Sequence, residues 1–301
     1  IDCNPADLDH GSGDKASDHP SAPRFDISNM TLLSIAIPTY NRADLVARLV
    51  ARLLALPGDF EICVQDDGST DDTAARLADL RGSAGGRLRV GSGPNRGRAA
   101  ALAAAVAMAQ GRFIMLFDDD DSLSPSGLAA VLADCATELP AGCAGHIYHL
   151  ADGDTDKRLG SAFPVGRSNL LALRADHAVE GDKKEVVLAT VLRAAMQPAE
   201  TARRVPTSLY WARIALKHDV ICYNLVIWTK TYRPGGMSAT IRRLKKDNAA
   251  PLLRLNRVRL WAFLRGRYRS AGYAFRALAG LGWHGMQALR NRLIRRAGTG
   301  R

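Results

Sequence analysis

Cysteine, histidine and aromatic residues are all scarce in this chain of 301 residues, at five, seven and 6% respectively. The cysteines, Cys3, Cys63, Cys135, Cys143 and Cys222, form no CxxC pair. That spacing excludes a zinc ribbon and a disulfide framework, and Cys63 within an apolar strand pattern points to buried thiols in a reducing compartment. His10 and His19 fall in a polar stretch and are expected to be solvated. Neither GxGxxG nor GxxxxGK[ST] follows a strand pattern, so the dinucleotide fingerprint and the phosphate loop are both missing. No apolar run reaches membrane-spanning length; residues 277–289 are interrupted by Gly and His and bounded by Arg276 and Arg290. Residues 1–26 are acidic and lack an apolar h-region, so no signal peptide is expected there. Residues 1–28, rich in Asp, Gly, Ser and Pro, read as a disordered segment.

What is present is a well-supplied core: 47% of residues are hydrophobic and 24% charged, the balance of a soluble globular protein. Residues 32–37 read as a strand and 43–56 as a helix with apolar pairs at helical spacing. A strand over 60–65, a helix over 71–80, a short strand over 88–90, an Ala-rich helix over 97–109 and a strand over 113–117 follow. Such alternation predicts an α/β, Rossmann-like, mostly parallel sheet with helices on both faces. Ligands of these sheets bind beyond the carboxyl ends of the strands. The unusual residues all lie at such ends: Pro38-Thr39-Tyr40-Asn41-Arg42, Asp66-Asp67-Gly68-Ser69-Thr70-Asp71, and Asp118-Asp119-Asp120-Asp121.

The four consecutive aspartates cannot be held inside a strand and must emerge at its end. Their mutual repulsion is relieved by a cation, and hard oxygen donors without nearby His or Cys favour Mg²⁺ or Mn²⁺ with a phosphate-bearing ligand. A solvated acidic turn is the plainer alternative. Asp71 is expected to cap the second helix. Asn95-Arg96-Gly97-Arg98 is either a solvated helix entry or a diphosphate site at a helix amino terminus.

In this order and spacing, Ile37-Pro38-Thr39-Tyr40-Asn41-Arg42, Asp66 to Asp71, Asn95-x-Gly97 and Phe117 to Pro125 resemble the family 2 glycosyltransferases of GT-A fold. The likeness runs from residue 32 to about 234 and is closest to a bacterial polysaccharide branch. It implies a nucleotide-diphosphate sugar donor and a divalent metal at a DxD motif, here Asp118 and Asp120 with Asp121 as companion. It implies that Asp67 contacts the base, that Thr39, Tyr40 and Arg42 surround the nucleotide, and that Pro38, Asn95, Arg98 and Asp119 complete the donor site. Transfer is then inverting, with a carboxylate taking the acceptor's proton. Glu200 is the first candidate for that base and Asp182, in Gly181-Asp182-Lys183-Lys184-Glu185, the second; Lys183, Lys184 and Glu185 themselves read as a solvated strand edge. Trp211, Trp228 and Tyr232 read mainly as core, one of them a possible sugar platform.

Residues 241–301 hold sixteen Lys and Arg against one acid, while the other 240 residues carry 25 basic and 29 acidic side chains. Residues 29–236 are therefore read as the GT-A domain and 237–301 as a basic helical extension. Arg interleaved with Leu, Trp and Phe suggests attachment to an anionic membrane, on the cytoplasmic face, near a saccharide or lipid-linked acceptor. The plainer alternative is a helical subdomain packed on the body, and no nucleic acid is expected as partner. A metal-dependent phosphohydrolase using the Asp66-Asp67 loop and a non-catalytic basic membrane-binding adaptor remain as other functional readings.

Overall fold

The computed structural model describes residues 31–197, 202–230 and 249–298, with side chains to residue 290. In chain order these residues form β1 (Leu33–Thr39), α1 (Ala43–Leu54), β2 (Phe60–Asp66), α2 (Thr73–Ser83), β3 (Leu88–Ser92), α3 (Arg98–Met108) and β4 (Phe113–Leu116). Then come β5 (Ser122–Leu123), α4 (Pro125–Ala136), β6 (Cys143–Asp152), β7 (Gly166–Ser168), α5 (Leu170–Ala175), β8 (Lys183–Leu188), α6 (Ala189–Met196), α7 (Ser208–Ala215) and β9 (Asp219–Lys230). Two helices close the described chain, here α8 (Ala249–Leu264) and α9 (Ala271–Gly298).

The described strands make one sheet in the order β3-β2-β1-β4-β8-β6-β9-β5, with β7 alongside β9. The first four strands are mutually parallel, as their alternation with helices requires. Past β4 the sheet is mixed: β8 runs antiparallel to both β4 and β6. Its amino end therefore lies at the carboxyl ends of β1, β2 and β4, where ligands bind. Lys183, Lys184 and Glu185 are thus not a solvated edge but the start of an interior strand, with Lys183 buried.

Both faces of the sheet are covered, which is why β1 and β4 are buried along their whole lengths. On one face Leu33, Ile35 and Ile37 of β1 pack with Val46, Val50 and Leu53 of α1, whose apolar residues recur at helical spacing. On the other, Ala36, Ala105, Leu192 and Leu209 pack with Leu255, Ala262 and Ala274 of α8 and α9. The C-terminal helices thus share the core of the body. Polar clamps hold them there: Arg267 donates to the carbonyls of Ala215 and His218 and pairs with Asp219 at 2.5 Å. Asp176 accepts from the Arg269 and Ser270 amides ahead of α9. Cys63, Cys135, Cys143 and Cys222 are buried free thiols, as the sequence led one to expect.

Candidate functional site

The loops leaving β1 and β2 are locked to each other by short-range polar chemistry. Asn41 adopts a left-handed backbone (φ 51°), a conformation Asn tolerates. Its Oδ1 accepts from the Thr70 amide at 2.8 Å and its own amide donates to Ser69 Oγ at 2.9 Å. Asp66 accepts from the Ser69 amide at 3.0 Å, forming the turn around Gly68. Gly68 needs its φ of 77°, and a Cβ there would lie 2.8 Å from the Gly93 carbonyl oxygen. Asp71 accepts from the amides of Thr73 and Ala43, so it bonds the start of α2 from one residue before the N-cap position, which is Asp72, and reaches α1 as well. Pro38, expected from the sequence at the donor site, falls inside β1 opposite Gln65 and is buried.

Asp67 is buried, and its two carboxylate oxygens accept from the Arg96 and Gly97 amides, both at 2.8 Å. It therefore positions the loop ahead of α3. Gly97 (φ 95°) lets that loop meet Arg203, whose carbonyl oxygen would lie 2.5 Å from a Cβ. Arg203 also bonds the side chain of Asn95, which ties Asn95 to the loop entering α7. Tyr40 is exposed beside these loops.

The aspartate run divides by exposure. Asp118 and Asp120 are 30% and 29% exposed, whereas Asp119 and Asp121 are 7% and 8%. Asp119 accepts from Thr39 Oγ1 at 2.9 Å and pairs with Arg42 at 2.7 Å, bracing the β1 loop from inside. Burial raises its pKa despite Arg42. Each oxygen of Asp119, expected from the sequence at the donor site, is thus engaged by a β1-loop side chain. Asp121 accepts from the Asp118 amide at 3.0 Å, tightening the turn. Asp118 pairs with Arg98 and Asp120 with Arg42. The accessible residues of the run are thus the alternate ones, the register of a D-x-D motif. Among the described residues no three carboxylate, imidazole or thiolate groups converge closely enough to hold a metal. The donor chemistry nevertheless fits a hard divalent cation: Asp118 and Asp120 offer hard, accessible oxygens, and each pairs with an arginine side chain.

Beyond Asp118 the sheet borders a cavity of about 180 Å³ on the α3, α5 and α7 side. Arg98, Asp118 and Asp121 form one wall; Asp182, Lys183, Lys184 and Glu185 form the floor; Trp211, Arg174, Arg259 and Tyr273 close the far side. Lys183 Nζ donates to the carbonyls of Val179, Glu180 and Gly181, and burial lowers its pKa to about 8. Lys184 Nζ lies 3.4 Å from the centre of the Trp228 ring and donates to the Leu116 carbonyl at 2.8 Å. Glu185 is pushed up to about 7 by burial, against the pull of Lys184, Arg174 and Lys183.

Of the two base candidates, Asp182 lines this cavity and Glu200 lies outside the described residues, as does Tyr232. Trp228 is core and Trp211 lines the cavity, so position in the fold selects Trp211 as the aromatic wall. Glu185 was not a candidate from the sequence. The available signal was its place three residues after Asp182 of the Gly181-Asp182 turn, at the head of an apolar strand; the sheet position that gives it meaning is non-local.

A four-strand parallel unit, an inserted antiparallel strand and an aspartate turn beside a cavity define a GT-A nucleotide-sugar transferase fold. The sequence model of the family described as Glycosyl transferase family 2 matches residues 34–197. The chain belongs to that family. It is 28% identical over 216 residues to a hyaluronan synthase of Pasteurella multocida, covering 67% of this chain and 21% of the synthase. It is 43% identical over 106 residues to the succinoglycan biosynthesis protein ExoU of Rhizobium meliloti, covering 34% of this chain and 30% of that protein. The chain thus spans about a fifth of the length of the hyaluronan synthase and under a third of ExoU. Among solved structures, TarS of S. aureus in complex with UDP-GlcNAc superposes with a TM-score of 0.57 at 16% identity, over 85% of this chain and 72% of that one. A mannosyltransferase of Pyrobaculum calidifontis in complex with GDP-Man and Mn²⁺ gives 0.55 at 18% identity, over 92% and 78%. These likenesses show the fold. The phosphohydrolase and adaptor readings receive no support from any of them.

Proposed function

We propose that the protein transfers a sugar, with inversion, from a nucleotide-diphosphate donor to a hydroxyl of a saccharide or lipid-linked acceptor during surface polysaccharide assembly. The observation that carries this reading is the alternate exposure of Asp118 and Asp120, with Asp118 paired to Arg98 on a cavity that Glu185 also lines. The donor's nucleotide lies over the loops at Thr39, Tyr40 and Arg42. Asp67 supports its base through the Arg96–Gly97 amides it holds, and Arg98 meets the diphosphate when it leaves Asp118. Asp118 and Asp120 would hold a divalent cation, with Asp121 and Asp119 keeping their turn in place. That cation, when bound, supplies positive charge against the leaving diphosphate.

The acceptor oxygen attacks the anomeric carbon, the carbon–oxygen bond to the diphosphate breaks, and the acceptor's proton passes to a carboxylate. Glu185 suits that role: it lines the cavity, and a base with pKa near the working pH is the efficient one. Asp182 and Glu200 are the competing assignments. Trp211 offers the acceptor ring an apolar face.

Attachment to an anionic membrane, at the cytoplasmic surface, forms part of the same proposal. Phe275, Leu278, Met286 and Leu289 are exposed along one stripe of α9, with Trp283 at its margin and Arg276 and Arg290 nearby. No helix among the described residues is long and apolar enough to cross a membrane. An exposed apolar stripe flanked by arginines suits the interface of an anionic bilayer.

The direct test incubates the protein with a panel of nucleotide-sugars, Mg²⁺ or Mn²⁺ and oligosaccharide acceptors. Nucleoside diphosphate and glycoside are measured together, and the anomeric configuration is read by NMR. Nucleoside diphosphate appearing with a glycoside of inverted configuration is the expected result. Free phosphate without glycoside, or a retained configuration, would overturn the proposal.

A further inference from the structure

The far wall of the cavity is built from the C-terminal helices, and it carries charge that nothing within the described residues neutralises. Arg259 of α8 lines the cavity with its guanidinium 5.2 Å from the centre of the Tyr273 ring of α9. Arg259 Nε and the Tyr273 hydroxyl are buried, and neither finds a hydrogen-bond partner among the described residues. Arg259 makes no ion pair there either. Its pKa is lowered by burial; the Tyr273 phenol opposes that effect and the positive charge of Arg174 adds to it. Arg174, on α5, is exposed at the cavity rim and donates a long hydrogen bond, 3.4 Å, to the Gly181 carbonyl. Two guanidinium groups that repel each other across a partly desolvated space, beside a buried phenol hydroxyl, are costly unless an anion joins them.

The carboxylates facing this space come from the floor and the opposite wall. Glu185 and Asp182 belong to β8 and its turn, while Asp118 and Asp121 are engaged at the donor side. None of them bonds Arg259. We propose that Arg259, Tyr273 and Arg174 form an anion subsite on the acceptor side of the cavity, so that the acceptor carries a carboxylate or phosphate near the hydroxyl that is glycosylated. This rests on the transferase reading and narrows its acceptor class. It also gives the C-terminal helices a place in the site besides their place in the core. The shared chemistry is an oxyanion; its two sources are a uronate carboxylate within the saccharide and a phosphate joining the saccharide to a lipid.

Binding and turnover together test it. Glucuronate and inorganic phosphate are titrated calorimetrically into the full chain held saturated with UDP and Mn²⁺, for the wild type, Arg259→Gln, Arg259→Lys and Arg174→Gln. Charge-assisted hydrogen bonds lead us to expect about tenfold weaker anion binding in Arg259→Gln. Arg259→Lys should lose less, and Arg174→Gln, whose exposed side chain leaves the fold undisturbed, should weaken binding as well. Equal affinity in all four proteins would overturn the subsite.

Turnover is compared on acceptors of equal length that are neutral, uronate-bearing or linked to phosphate. The wild type should show a lower KM for one anionic acceptor, which identifies the source, and the ratio of neutral to anionic KM should fall about tenfold in Arg259→Gln. Indifference of the wild type to acceptor charge, or an unchanged ratio in both Gln variants, would sink the proposal. Arg259-dependent anion binding in a protein that transfers no sugar from any donor would sink the transferase reading instead and leave the anion site standing.

Discussion

Replacing Glu185 by Gln separates a catalytic carboxylate from a merely buried one. In the wild type this side chain is held at about 7, against an ordinary 4.5, chiefly by burial. At roughly 1.4 kcal/mol per pH unit, that displacement is worth about 3 kcal/mol between the protonated and ionised forms. The sign follows from linkage: the folded state binds this proton more tightly than the unfolded state. The contribution is therefore fully favourable below about 4.5 and is lost as pH rises through about 7. Gln has no proton to lose. Chemical denaturation of the two proteins from pH 5 to pH 9 should show the variant gaining on the wild type by up to about 3 kcal/mol across that window, then a constant difference. In the same variant, sugar transfer should fall by about 10²–10⁴-fold while donor binding persists, as loss of a general base requires. Wild-type kcat/KM should rise with pH through about 7, because the base acts unprotonated. A stability difference independent of pH would refute the buried-carboxylate argument. Near-normal transfer by Glu185→Gln with an inactive Asp182→Asn or Glu200→Gln would move the base to that residue.

Three further expectations follow from the site and the C-terminal helices. Asp120→Asn should keep the fold but lose most transfer and most calorimetrically detected Mn²⁺ binding in the presence of UDP; full turnover would remove this residue from the donor site. Asp67→Ala should both raise donor KM and lower stability, since the Arg96 and Gly97 amides each lose an acceptor, at about 1–3 kcal/mol per buried donor left unpaired. An unchanged melting temperature would show that the clamp is dispensable. Met286→Asp and Phe275→Asp should weaken binding to anionic liposomes without unfolding the protein, because both side chains are exposed, and wild-type binding should fall with added salt; binding equal to wild type would refute the membrane face. Deleting the basic segment is the poorer test, since Leu255, Ala262 and Ala274 belong to the core and truncation would expose it.

Local pattern in the sequence was sufficient for the first half of the fold. From β1 to β4 each strand is a short apolar run, each helix an apolar stripe, and each turn is marked by residues whose side chains bond their own neighbourhood. Asp71 at its helix start is one such case, and Asp66 with Ser69 is another. The position of the aspartate run was legible for the same reason, since charge density cannot stay inside a strand. Tertiary structure decided the rest. A strand's partners are chosen by hydrogen bonds to distant segments, so nothing in Lys183-Lys184-Glu185-Val186-Val187 announces an antiparallel insertion between β4 and β6. That insertion turns an apparent solvated edge into the floor of a cavity and raises Glu185. Four identical aspartates acquire different roles only because the turn buries two of them and leaves two accessible. The basic C-terminal segment advertises charge in its composition, but only the fold brings Arg259 of that segment, with no ion-pair partner among the described residues, to the cavity that Asp118 borders. Charge along a chain is a local property; whether a charge is neutralised depends on which distant segments fold against it.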